Sequence, residues 1–129
     1  ANFNSSGCFQ DQVGQTGNNA PELAASMYAN YFKDIAESWK MTLSINANYQ
    51  DDVYSNTDND PNAFTEEYTK VNVSASLEHS DGFEVSIFAR NVTDEVTATQ
   101  LLDLPLVPGS HFALWAPGKE FGISFRGKF

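Results

Sequence analysis

The clearest pattern along the chain lies in residues 39–50, where apolar and polar side chains alternate without interruption. The odd positions are all apolar, namely Trp39, Met41, Leu43, Ile45, Ala47 and Tyr49. A period of two predicts a β-strand with one apolar and one polar face. The segment is longer than the usual strand of about 5–6 residues and matches the roughly 10 residues with which a tilted strand crosses a bilayer. Trp39 and Tyr49, near its ends, are residue types found at membrane interfaces.

The same alternation recurs in four other segments, which are residues 23–32, 70–78, 83–90 and 120–129. In the first of them Ala24, Tyr28 and Phe32 interrupt the polar face. Short turns and long connections separate the five predicted strands in alternation; the long ones cover residues 51–67 and 93–119. Short turns on one side and long loops on the other are typical of outer-membrane barrels. The pattern therefore predicts an all-β, antiparallel transmembrane β-barrel segment.

The two faces of these strands differ in charge. The polar face carries Lys40, Lys70, Glu78, Glu84, Arg90, Glu120, Arg126 and Lys128. Charges are unfavourable in hydrocarbon, so this face is predicted to line a wet or protein-filled lumen while the apolar face contacts lipid. Arg90, Arg126 and Lys128 are thus expected to point inward and to pair with Glu120, Glu84 or a plug.

Five strands cannot close a barrel, because bacterial single-chain barrels have at least about eight. An open sheet would leave unpaired backbone groups in lipid. We therefore expect residues 21–129 to form the C-terminal strands of a larger barrel, and residues 1–20 to belong to an extracellular loop. The rest of the barrel is expected either earlier in the same gene product or in a partner chain.

The composition of the chain argues against several classes of function and site. Seven Lys and Arg against 17 Asp and Glu give a formal net charge of −10, which disfavours binding to nucleic acid. Cys8 is the only cysteine, so an internal disulfide and a multi-cysteine zinc site are excluded. No run approaches the roughly 18 apolar residues of a membrane helix, and no signal-peptide core is present. The start of the gene product is accordingly expected to lie outside this sequence.

Three motifs resemble the C-terminal end of TonB-dependent outer-membrane receptors. They are Asn-Ala-Pro-Glu at residues 19–22, the stretch from Phe83 to Glu95 with its Arg-Asn-Val-Thr-Asp-Glu ending, and residues 117–125 followed by terminal Phe129. Val92 stands where that family usually has Leu. The match covers nearly all of the chain from residue 19 onward.

The resemblance implies a barrel of about 22 strands with an N-terminal plug. It implies import of a scarce nutrient such as a siderophore, cobalamin or an oligosaccharide across the outer membrane, driven by TonB and without a cofactor. The implied partners are the remaining barrel and plug, lipid, lipopolysaccharide, and the TonB complex through an N-terminal part that this chain lacks. Terminal Phe129, with Phe125 and Phe121, is implied to be the signal read by the barrel-insertion machinery; the simpler interpretation is an interface aromatic.

The sequence gives little support for a metal site or a catalytic site. Asp58 and Asp60 are similar to part of a calcium loop, but the glycine and distal glutamate of an EF-hand are missing, so a solvated acidic loop is favoured. His79 and His111 have no neighbouring ligands. No nucleophile elbow or Cys–His pairing is present, and no enzyme is predicted.

The last long connection is unusually apolar, with Phe112 and Trp115 as its most prominent aromatics. These residues are expected to pack against other loops or a partner protein; the alternative is that they stack against a ligand. Two further functions remain open: a structural chain or proteolytic fragment that completes a split barrel, and a water-soluble β-sandwich or lipocalin-like binding module.

Overall fold

The computed structural model describes residues 2–4, 7–9, 13–14, 17–55, 61–104, 106 and 110–127. These residues form eleven strands and one 3₁₀ turn, Pro61–Ala63. The strands are β1 (Asn2–Asn4), β2 (Gly7–Phe9), β3 (Ala24–Ala36), β4 (Trp39–Gln50), β5 (Val53–Tyr54), β6 (Phe64–Thr65), β7 (Tyr68–His79), β8 (Phe83–Arg90), β9 (Ala98–Asp103), β10 (His111–Trp115) and β11 (Glu120–Gly127). No helix in the described part of the chain is long and apolar enough to cross a membrane.

The five long strands form one antiparallel sheet in the order β11-β8-β7-β4-β3. They are the five segments predicted from the alternation, and each pairs with the next along the chain. The prediction of an all-β, antiparallel fold is confirmed. The first strand is longer than expected, because its pairing with β4 continues until Ala36 lies opposite Trp39. The connecting turn therefore shrinks to residues 37–38.

The register brings the odd-numbered residues of all five strands onto one face, since residues directly opposite each other point the same way. One row across the sheet contains Ala29, Ile45, Val73, Ala89 and Phe121. The next row contains Tyr31, Leu43, Ala75, Ile87 and Ile123. The period-two pattern within each strand thus becomes a continuous apolar surface, here named the apolar face; the even-numbered residues form the polar face.

The long connections contain strands where irregular loops were expected. β5 pairs with β6 and β9 pairs with β10, so each long connection contains a two-stranded antiparallel pair, here called a hairpin. β1 likewise pairs with β2 inside the segment 1–20. These strands are short or lack strict alternation, so the period-two pattern did not predict them. Both larger hairpins leave the sheet at the same end, here named the hairpin end; the opposite end, with turns 37–38 and 80–82, is the turn end.

Burial is concentrated in the hairpins rather than in the large sheet. Among the described residues the buried apolar side chains are Val53, Ala63 and Leu101, all at the hairpin end. On the apolar face Leu43 is 41% exposed, Ile87 57% and Phe121 73%. Within the described ranges no second layer covers this face, and the edge strands β3 and β11 do not pair with each other. The sheet is therefore open and one layer thick.

Candidate functional site

Cross-strand ion pairs hold the two arginines of the polar face. Arg126 Nη1 lies 2.9 Å from Glu84 Oε2, and Arg90 Nη1 lies 3.7 Å from Glu120 Oε2. Both arginines are largely exposed, so each pair contributes little stability. Lys128, the third residue expected on this face, lies outside the described residues.

Phe88 is an aromatic residue on the polar face, and Gly122 explains its presence. The two residues lie directly opposite each other on β8 and β11. A methyl group at Gly122 would overlap the Phe88 ring, so the ring occupies the space that a side chain would need. The guanidinium of Arg90 lies 4.8 Å from the ring centroid, which is a cation–π contact. Phe88 thus fills a gap in the sheet and supports Arg90.

The Arg-Asn-Val-Thr-Asp-Glu stretch organises the end of β8 around Asn91. This residue is only 6% exposed and has a left-handed backbone with φ of 48°. Its backbone N–H donates to Asn72 Oδ1 at 2.9 Å. Its side-chain NH₂ donates to the carbonyl oxygens of Glu95 and Pro117 at 3.0 and 3.4 Å, while its Oδ1 accepts the Glu95 N–H at 3.1 Å. The backbone N–H and the side-chain amide of this one residue therefore join β7, the turn after β8 and the segment before β11.

Thr93 and Asp94 complete this turn. The Thr93 hydroxyl donates to the Thr69 carbonyl at 2.8 Å. Asp94, with φ of 60°, donates its N–H to the Asn91 carbonyl and accepts the Lys119 N–H at 3.0 Å. Every side chain of the motif from residue 91 to 94 with a polar atom is engaged with the protein itself. The arrangement is suited to fixing the hairpin end and not to contacting a ligand.

A polar crevice of about 330 Å³ lies at the hairpin end, between the polar face and the hairpins. We name it the Lys70 crevice. Of the described residues that line it, Lys70 alone is charged, and the other polar side chains around it include Gln50, Tyr68, Thr97 and Thr99. Lys70 Nζ donates to Thr97 Oγ1 at 2.6 Å and lies 5.1 Å from the centroid of the Tyr68 ring. The alternation placed Lys70 on the polar face but gave no sign of the crevice.

A second crevice, of about 380 Å³, separates the two hairpins and is acidic and aromatic. Its lining includes Glu66, Glu67, Glu95, Phe64 and Trp115. The two candidate aromatics of the outer loop are not brought together there. Trp115 follows a β-bulge and reaches the crevice, whereas Phe112 lies opposite Leu102 on the outer side of the β9–β10 hairpin. Leu101, on the inner side of that hairpin, is buried.

The candidate metal residues Asp58 and Asp60 lie outside the described residues. Across the part of the chain that is described, no group of three or more His, Cys, Asp and Glu side chains is placed to hold a metal ion. From the same acidic segment, Glu67 accepts a hydrogen bond from the Tyr49 hydroxyl at 3.0 Å. His79 packs edge-on against Trp39 with ring centroids 4.7 Å apart.

The apolar face has its own concave region, a groove of about 860 Å³. Tyr31, Leu43, Ile87 and Ile123 are among the residues that line it. Of the three candidate assembly-signal residues, Phe121 and Phe125 lie on this face and are highly exposed. Phe129 lies outside the described residues.

No family model matches the chain, and neither a curated protein nor a solved structure matches it.

Proposed function

We propose that this chain forms the C-terminal strands of a TonB-dependent receptor that imports a scarce nutrient through the bacterial outer membrane. The observation that carries the proposal is the apolar face, because its rows of side chains are aligned across five strands and left exposed. Soluble monomers rarely expose contiguous apolar patches above a few hundred Å². Lipid is the environment in which such a surface is favourable.

The charge distribution supports a lumen on the other side. The ion pairs Arg126–Glu84 and Arg90–Glu120 both lie on the polar face. A single charged side chain at the centre of a bilayer is unfavourable by about 2.5–3.5 kcal/mol on insertion scales. A wet interior avoids this penalty. The difference between the two faces therefore favours a barrel wall over a sheet that is solvated on both sides.

The two open edges of the sheet favour closure by strands that do not come from a second copy of this chain. Because five strands alternate in direction, β3 and β11 run the same way. Antiparallel closure then needs added strands whose two edges run opposite to β3 and β11, whereas both edge strands of a second copy in the same orientation run the same way as β3 and β11. An inverted copy would place its hairpins on the opposite side of the membrane. The geometry therefore favours closure by other barrel strands, as in the single-chain receptor.

Two alternative functions would require different surroundings for the sheet. A soluble β-sandwich would need a second sheet packed on Leu43, Ile87 and Ile123, and within the described ranges nothing covers them. A separate chain that completes a split barrel has the same faces and edges as the receptor segment. It differs only in whether the strand beside β3 belongs to the same polypeptide.

Cell fractionation and detergent dependence test the membrane assignment. We expect the protein in the outer-membrane fraction, extracted by detergent and not by high salt or carbonate, because only detergent replaces lipid on the apolar face. Once folded in micelles, the complete barrel should migrate faster in unheated gels than after boiling. A monodisperse, folded monomer in buffer without detergent would contradict the proposal.

A further inference from the structure

Lys70 differs from the other basic residues of the polar face in what lies opposite it. Three of them have a carboxylate directly across the sheet: Lys40 faces Glu78, Arg90 faces Glu120 and Arg126 faces Glu84. Lys70 faces the neutral Asn48. Among the described residues, no carboxylate lies within ion-pairing distance of its ammonium group.

The surroundings of Lys70 are also unusual for so acidic a chain. The protein has 17 acidic residues against seven basic ones, yet none of the described residues that line the Lys70 crevice carries a carboxylate. Lys70 is half-buried, so its charge is only partly screened by water. A net charge of −10 repels anions, and an ammonium group with no carboxylate beside it among the described residues is the local exception. The crevice is therefore the place on the polar face where an anionic group is most favourable.

The hydrogen-bonding groups define the ligand further. The ammonium of Lys70 has three donors, of which Thr97 Oγ1 accepts one, leaving two that point to no protein acceptor described here. The Tyr68 hydroxyl donates to Gln50 Oε1 at 3.1 Å, which leaves the Gln50 NH₂ as a further donor. Thr99 donates to the Leu114 carbonyl, and its hydroxyl oxygen retains the capacity to accept. Donors thus surround a cation, with hydroxyl oxygens beside them.

We infer that the Lys70 crevice binds the oxyanion group, carboxylate or phosphate, of a hydroxylated small molecule. Lys70 contacts the oxyanion, the Gln50 amide donates to it, and Thr97 and Thr99 hydrogen-bond the neighbouring hydroxyl groups. A volume of about 330 Å³ admits one such unit at the small end of ligand pockets, which span about 300–1,000 Å³. The inference rests on the proposed function in one respect. If the chain is part of an importing receptor, the bound molecule is the imported solute, or the part of that solute that contacts this wall of the lumen.

Charge separates this ligand from a neutral sugar. A neutral polyol would satisfy the hydroxyl and amide groups but leave the Lys70 ammonium without a counter-ion. Charge-assisted hydrogen bonds are roughly twice as strong as neutral ones, so an oxyanion gains more at this position than a hydroxyl does. The recognition should therefore depend on the charge of the ligand and on residue 70.

The test compares gluconate with sorbitol, which have the same polyol chain and differ in the terminal carboxylate. Binding is measured by saturation-transfer NMR and calorimetry on the barrel that contains this chain, in detergent. We expect gluconate to bind and sorbitol to bind at least about tenfold more weakly. Lys70→Met should abolish that preference, whereas Lys40→Met, a matched change at a base already opposite a carboxylate, should preserve it. Lys70→Arg should retain part of the affinity, because the cation is kept. Inorganic phosphate as a competitor shows whether phosphate occupies the same site as carboxylate.

Equal binding of gluconate and sorbitol, or an equal loss in Lys70→Met and Lys40→Met, would overturn the inference. So would the absence of gluconate binding in a barrel whose gel mobility shows it to be folded. Failure of the membrane assignment is detected separately, by solubility without detergent. The residues described as lining the crevice all belong to this chain, so the same titration then applies to the soluble protein.

Discussion

Asn91 shows how much of the hairpin end depends on a single side chain. Its side-chain amide bonds to the turn after β8 and to the segment before β11, its backbone N–H bonds to Asn72 on β7, and its left-handed backbone conformation favours Asn or Gly. The sequence singled out this residue only through the motif that resembles the receptor family. The structure gives a physical reason for the motif, since the partners Asn72 and Pro117 are distant in sequence and follow from the register.

Replacing Asn91 tests that reason. Asn91→Ala removes a buried amide and leaves at positive φ a residue without the local hydrogen bonds that let Asn tolerate this conformation, so the free energy of unfolding should fall by about 2–4 kcal/mol. Asn91→Gly loses the amide but tolerates the backbone, and should lose about 1 kcal/mol less. Denaturant unfolding in micelles measures both. Asn30→Ala, at an exposed position of β3, is the control, expected within about 0.5 kcal/mol of wild type. Equal effects of Ala at residues 30 and 91 would refute the structural role.

Gly122 and Phe88 form a second residue-scale unit. Gly122→Ala forces the Phe88 ring off its position and away from Arg90, and we expect a loss of about 1–3 kcal/mol in unfolding free energy. In a Phe88→Ala background the same change should be nearly neutral, because the clash is gone. A double-mutant cycle measures the difference. Strict additivity of the two substitutions would mean that the ring does not fill the glycine gap.

At the scale of the strands, the alternation predicted the five strands of the large sheet but not the strands of the hairpins. Strict period-two segments became β4, β7, β8 and β11, and the less regular one became β3. The hairpin strands escaped prediction because a strand such as β5, with two residues, has no period to read. The crevice escaped for another reason. Asn48 lies opposite Lys70 only because of the β4–β7 register, and a long connection joins those strands.

The opposite environments of neighbouring positions in β8 lead to a prediction about the strand. Ile87 lies between Ala75 and Ile123 on the apolar face, and Ser86 lies on the polar face between Ser76 and Ser124. If the apolar face contacts lipid, Ile87→Lys should destabilise the barrel by about 2–4 kcal/mol near the midplane. Ser86→Lys should be close to neutral, because its charge enters the lumen.

Outer-membrane yield and unheated gel mobility report both variants. The ratio of folded to unfolded barrel at equal expression is the quantity to compare. A larger loss for Ser86→Lys than for Ile87→Lys would reverse the assignment of the two faces, and equal losses would show that neither face contacts lipid.

At the scale of the whole molecule, the sheet is one layer whose two surfaces require different environments. The sequence anticipated the five strands and their apolar and polar faces, since both follow from side-chain parity. It did not anticipate that the few buried side chains, such as Val53 and Leu101, cluster beyond the sheet. Burial of that kind depends on how hairpins fold against one another, which parity does not encode.

The base of the β9–β10 hairpin determines where this hairpin tolerates changes in sequence and length. A backbone hydrogen bond, from the Ala116 N–H to the Thr97 carbonyl at 2.8 Å, joins its two stems just above the Asn91 turn. Beyond that bond Leu101 is buried and Thr99 lines the Lys70 crevice, so substitutions within β9 are constrained. We expect insertions and epitope tags to be tolerated best in the segment that connects β9 to β10, because loops accept changes in length while the scaffold below keeps its shape.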